Sequence, residues 1–182
     1  AGAPAHAPRL HGGALIVARR PTPDPIGPGE ESVWDYPRPP RLEPVPERVR
    51  VDFGGRTIID TIGALRMLET SHPPTYYLPF EDADAEAFVP CPGRSFCEWK
   101  GVAEYFDVVV GDRRAERCAW RYPEPSPRYA GLAGHLSMYA APMDACWIGE
   151  HRVTPQPGRF YGGWITPGIR GPFKGEPGTE FW

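Results

Sequence analysis

The sequence predicts a mainly β domain of antiparallel strands with one or two short helices, and three observations carry this. Apolar and polar residues alternate with period two in several short runs. Those runs are separated by Gly54-Gly55, Gly111-Asp112 and Gly149-Glu150, pairs that suit tight turns. Aromatic residues make up 12% of 182 residues against a formal charge of only −3. Such a chain can bury a core, even though 21 glycines and 25 prolines form about a quarter of it.

Taken in order, residues 1–47 read as an N-terminal arm. Pro21-Thr22-Pro23-Asp24-Pro25 and Pro37-Arg38-Pro39-Pro40 lack the donors a central strand needs and favour extended backbone. Between them Val33-Trp34-Asp35-Tyr36 offers two aromatics for docking. The core domain is expected over 48–153. Val49, Val51 and Phe53 alternate with Arg50 and Asp52 as a half-buried strand, and Arg56 to Asp60 returns beside it. Thr61 can cap a short helix with Ile62, Leu65 and Leu68 on one face, ended by Pro73-Pro74. Asp82 to Phe88 allows a second helical turn.

Strands are expected to resume after Cys97. Tyr105 to Val110 is β-branched and aromatic, and Arg117 to Tyr122 alternates so that Cys118, Trp120 and Tyr122 share a face. Leu136 to Tyr139, Asp144 to Ile148 and His151 to Val153 complete the set. Residues 154–182 form a glycine-, proline- and aromatic-rich extension. Both arms are expected to wrap the body or to join a second copy as a homodimer.

Composition excludes several classes of function. Arginines are interleaved with acids, as in Asp112-Arg113-Arg114-Ala115-Glu116-Arg117, so no phosphate-tracking patch and no nucleic-acid partner are expected. No run approaches the roughly 18 apolar residues of a membrane span. Ala14-Leu15-Ile16-Val17 is followed by arginines, the wrong order for a secretory signal, so a cytoplasmic setting is expected. There Cys91, Cys97, Cys118 and Cys146 would be reduced, although three pairings are open to them. No Cys-x-x-Cys pair, phosphate loop, Gly-x-Ser-x-Gly elbow or His-Glu-x-x-His pair is present, and no cofactor or metal is expected.

Candidate chemistry falls in three places. In Cys97-Glu98-Trp99-Lys100 a lysine stands three residues from a thiol, which would favour the thiolate. A small buried thiol beside a surface lysine would look the same. Trp120, Tyr122, Tyr105 and Trp99, with Tyr76-Tyr77, can line a concave face for a flat or cationic ligand, or simply pack a core. Glu69 is a carboxylate suited to binding or to acid–base work if buried. His135 and His151 have no acid or metal partner at useful spacing.

The order Val49-x-Val51-x-Phe53-Gly54-Gly55, Thr61-x3-Leu65-x3-Glu69-Thr70, Pro74-x-Tyr76-Tyr77-x-Pro79 is similar to a bacterial family, the domain of unknown function 427. Cys97-x2-Lys100-Gly101-x-Ala103-x-Tyr105 and Ala119-Trp120-x-Tyr122-Pro123-x-Pro125 continue the likeness, with Glu98 standing where the family typically has proline. Ala133 to Tyr139 resembles its last core strand. The arms, with Val33-Trp34-Asp35-Tyr36 and Gly162-Gly163-Trp164, resemble extensions of actinobacterial members. The resemblance implies an Mss4-like, or β-tent, fold with a concave ligand-sized face. It also implies a pocket from Glu69, Tyr77, Cys97, Lys100, Tyr105, Trp120 and Tyr122. A nucleotidyltransferase label sometimes attached to the family finds no paired aspartates here. Three functions follow as expectations. The first is a small-molecule binding domain with an aromatic pocket. The second is an enzyme using Cys97 or Lys100, with Glu69, on a carbonyl-like or nucleotide-like substrate. The third is an interaction module working through the arms.

Overall fold

The computed structural model describes residues 21–179 and 181–182. The run Ala14 to Val17 lies outside them. Fifteen strands are formed among the described residues, and the helices are all short 3₁₀ turns. The early strands are β1 (Glu31–Ser32), β2 (Arg41–Pro44), β3 (Val49–Phe53), β4 (Arg56–Thr61), β5 (Leu65–Leu68) and β6 (Thr75–Pro79). The long central strands are β7 (Phe88–Cys97), β8 (Gly101–Val110) and β9 (Arg113–Arg121). They are followed by β10 (His135–Met138), β11 (Ala145–Ile148), β12 (His151–Arg152), β13 (Thr154–Pro155), β14 (Trp164–Ile165) and β15 (Ile169–Arg170).

Two antiparallel sheets enclose the main core. The larger has the order β2-β5-β6-β10-β9-β8-β7 and the smaller β12-β11-β3-β4. Val49, Val51 and Phe53 from the small sheet meet Leu78, Phe106, Val108, Leu136 and Met138 from the large one. The expected hairpin at Gly54-Gly55 is present, and the fold is mainly β, as the alternation predicts. Because strand side chains alternate, the large sheet has a second face, away from this core. Met67, Tyr77, Ala103, Trp120 and Tyr122 gather there.

Three local expectations are corrected. Leu65–Leu68 is a strand held between β2 and β6, not a helix. Leu65 and Met67 face one side with period two, Leu68 goes to the other, and Ile62 is 80% exposed. Thr61 still accepts a hydrogen bond from the Gly63 amide, but it closes a turn. Strand structure also begins before Cys97. β7 is an edge strand, where Pro90 is tolerated, and its register shifts between Cys91 and Arg94. Finally, Cys118 leaves the face of Trp120. The β8–β9 register shifts between Phe106 and Val108, and Arg117 adopts φ 47°. This bulge turns Cys118 into the main core, where its thiol donates to the Ala115 carbonyl at 3.2 Å.

The described arm residues pack on their own chain. β1 pairs in parallel with β15, so the two arms zip together. Val33, Trp34, Tyr36, Leu68 and Ile169 form a third core cluster. Trp164 is fully buried in the main core, stacks on Tyr76 at 5.2 Å and donates its indole N–H to the Met138 carbonyl. Truncating an aromatic buried to this degree costs about 3–5 kcal/mol, a large share of a domain's stability. The extension is therefore part of the fold.

Candidate functional site

The second face of the large sheet carries a cavity of about 480 Å³. Strand register builds its floor. Tyr105 on β8 lies opposite Trp120 on β9, which lies opposite Ser137 on β10, while Tyr77 on β6 lies opposite Leu65 on β5. Tyr77, Tyr105, Trp120 and Tyr122 all line the cavity.

Cys97 and Lys100 come from the β7–β8 hairpin. Cys97 pairs with Gly101 across the three-residue turn Glu98-Trp99-Lys100. Gly101 has φ 103°, a conformation side chains resist, and a Cβ there would stand 3.3 Å from the Glu124 carbonyl. Ser126 latches the turn. Its hydroxyl donates to the Trp99 carbonyl and its amide to the Lys100 carbonyl. The turn delivers the half-buried Cys97 and the Lys100 side chain to the cavity. The Lys100 ammonium lies 5.7 Å from the Tyr122 ring centre and 6.0 Å from that of Tyr77. Among the described residues it has no ion pair.

Glu69 arrives from the opposite side, just past β5, and pairs with Arg38 at 3.3 Å. All seven pocket residues implied by the resemblance thus border one cavity, as does Trp99, but Tyr76 faces the other way and stacks on Trp164 in the main core. Neither His135 nor His151 does, and the described residues contain no group of three or more His, Cys, Asp or Glu placed to hold a metal. The four cysteines are free thiols.

Two polar side chains on this face of the sheet are unsatisfied. Tyr77 is fully buried, and its hydroxyl has no hydrogen-bond partner, although the Trp120 indole and Tyr122 hydroxyl are near. Ser137, also fully buried, has an unpartnered hydroxyl too. Burial first, then Cys97, pushes the Tyr77 phenol up. Burial and then Tyr77 do the same to Tyr122, with Lys100 opposing. Both phenols therefore remain neutral donors near pH 7.

Several lining residues were not singled out in the sequence. His72 is held edge-on to Tyr161, with ring centres 4.7 Å apart, and burial lowers its pKa below the ordinary value. The backbone before it is unusual. Ser71 is fully buried with φ 71°, donates its amide to the Val33 carbonyl and accepts from the Lys174 amide. This left-handed residue ties both arms to the rim between Glu69 and His72. The extension adds Gln156, Phe160, Gly162 and Lys174 to the wall. Gln156 accepts from the Gly163 amide and donates to the Lys174 carbonyl. Gly162 sits against Trp120 so closely that a Cβ would come within 2.3 Å of the indole.

A family model described as "Domain of unknown function (DUF427)" matches residues 41–149, more than half of the chain. The chain belongs to this family. In the DUF427 protein the matched span includes β2 through β11 and every sequence-derived site residue. The C-terminal wall lies beyond it. No curated protein matches the chain.

Proposed function

We propose that this DUF427 protein is a small-molecule binding domain whose ligand occupies the cavity on the outer face of the large sheet. One observation supports this most. Lys100, with no ion pair among the described residues, lines an aromatic-walled space together with Tyr77, whose buried hydroxyl has no hydrogen-bond partner. An ammonium left without an ion pair beside aromatic walls is explained by a bound group that completes it. The cavity volume falls in the usual range for small-molecule sites. The two antiparallel sheets around one core support the Mss4-like, or β-tent, reading of the fold. The free thiols suit a reducing compartment. Trp34, Tyr36 and Trp164 of the arms pack within the chain, while Phe160 and Phe181 are exposed; the cavity reading itself needs no second copy.

Native mass spectrometry of freshly purified protein tests it. The expected result is a non-covalent organic adduct that is lost from Lys100→Met and Trp120→Ala. A bare chain that also shows no thermal shift across a metabolite panel would count against it. A second reading keeps the cavity but makes it catalytic, because the half-buried Cys97 lines it beside the Lys100 turn. An adduct that survives denaturation and maps to Cys97 or Lys100 would favour that alternative.

A further inference from the structure

We infer that the ligand class is a small organic acid with an aromatic body and one carboxylate, the carboxylate meeting Lys100 and the body lying among the Tyr and Trp walls. This rests on the binding reading above and adds the sign and shape of the ligand.

Charge gives the sign. Of the cationic groups at the cavity, Arg38 is paired with Glu69, and Lys174 donates to the Trp182 carbonyl while lying 5.6 Å from the Tyr161 ring. His72 is kept neutral by burial at ordinary pH. Lys100 is left over, balanced only by two aromatic rings. The other acid at the cavity, Glu98, is exposed on the turn. A lysine supplies three donors and no acceptor, and the neutral phenol of Tyr122 can also donate. Surplus donors, with neither Lys100 nor Lys174 in an ion pair among the described residues, fit an anionic acceptor. A cationic guest resting on Tyr77 or Tyr122 would have to approach Lys100 itself, whose ammonium already lies over those two rings.

The walls give the shape. Tyr105 is backed by the Arg117 guanidinium at 3.7 Å, and its hydroxyl is fixed to Ser95 at 2.6 Å. Trp120 is held by Tyr139 at 4.9 Å and by Gly162. Tyr139 is itself anchored through its hydroxyl to the Phe160 carbonyl. These contacts hold the rings in place, so they form a preorganised apolar slot. A single charge on an apolar body matches one lysine set among rings.

The test uses three isosteric probes on the full chain: 1-naphthoate, 1-naphthamide and 1-naphthylmethylammonium. Binding is read by calorimetry and by quenching of tryptophan emission. Naphthoate is expected to bind at least about tenfold more tightly than the amide, as a charge-assisted contact implies, and the ammonium not at all. Lys100→Met should abolish the preference for naphthoate over the amide. Lys100→Arg should restore it, which guards against a variant that merely misfolds. Amide or ammonium binding as tight as naphthoate overturns the assignment while leaving a binding cavity in place, and so does an unchanged preference in Lys100→Met. No binding by any probe at millimolar concentration also overturns it, and the mass measurement then decides separately on the binding reading.

Discussion

Removing one oxygen atom should make this protein more stable. The Tyr77 hydroxyl is sealed from solvent without a hydrogen-bond partner. An unsatisfied buried group of this kind costs about 1–3 kcal/mol. Tyr77→Phe removes the group and keeps the ring, including its tilted contact with Tyr122 at 6.4 Å between centres. The vacated space is roughly one oxygen, about 10–15 Å³, which at about 24 cal/mol per Å³ gives back only about 0.3 kcal/mol. The net expectation is a gain of about 1–2 kcal/mol. For a chain of this size that is a rise of roughly 3–6 °C in Tm. Urea unfolding of purified protein without added ligand should show a higher midpoint and an unchanged slope. A Tyr77→Phe protein less stable than the parent by 0.5 kcal/mol or more would refute the reasoning. It would mean that the hydroxyl is already satisfied, by a bound water or by the nearby Trp120 indole or Tyr122 hydroxyl.

Three other expectations follow from the same geometry. Gly162→Ala places a methyl on the Trp120 indole, and overpacking of this kind costs about 1–3 kcal/mol; urea unfolding and a shift in tryptophan emission should report both the loss and the moved ring. The depressed pKa of His72 has a defined consequence for pH. Above about 6.5, the unfolded value, the imidazole is neutral in both states. As pH falls below that value the unfolded chain takes up a proton that folded His72 resists, so stability declines until the lower folded pKa is reached. That fall between pH 7 and 5 should shrink in His72→Gln, and NMR titration should give His72 a pKa below the ordinary one. In native protein, maleimide should label Cys97 first and Cys91 next, since burial and Asp107 raise the Cys91 thiol. Cys118, whose thiol burial pushes up to about 12, and the buried Cys146 should react only after unfolding, and naphthoate should slow Cys97 alone.

The sheets were legible where side-chain alternation was uninterrupted. Val49 to Phe53 shows its register plainly because one face is buried and the other wet. Reading failed where a local irregularity changes which side a residue faces. The bulge at Arg117 moves Cys118 out of phase with Trp120, and no propensity of an arginine announces a positive φ. At Ile62, Leu65 and Leu68 a three-residue spacing imitated a helix. Leu65 and Leu68 in fact serve two separate clusters, on opposite faces of β5. β7 was hidden by Pro90, Pro92 and Gly93, residues that argue against a central strand but not against an edge strand with a shifted register.

The site divides along the same line. Tyr77, Tyr105 and Trp120 were legible because strands put aromatics at alternate positions, and the Cys97–Lys100 turn because a hairpin keeps neighbours together. The opposite wall was not, because His72, Gln156, Tyr161 and Lys174 reach the cavity through irregular backbone with no periodicity. Two signals could have marked it. Gly162-Gly163 beside Trp164 is a place where backbone can press on a ring, and Glu69-Thr70-Ser71-His72 before two prolines is a short polar segment that cannot relax into a helix. Both segments are tied to the arms. Ser71 bonds to Val33 on one side and Lys174 on the other, and Gln156 fastens residue 163 to residue 174. The family-matched span therefore supplies the floor and the lysine, while the extension supplies much of the rim. On the proposed binding reading, the floor would set the sign of the ligand and the rim its size. Shared floor residues in DUF427 members with different extensions would then go with related acids of different bulk.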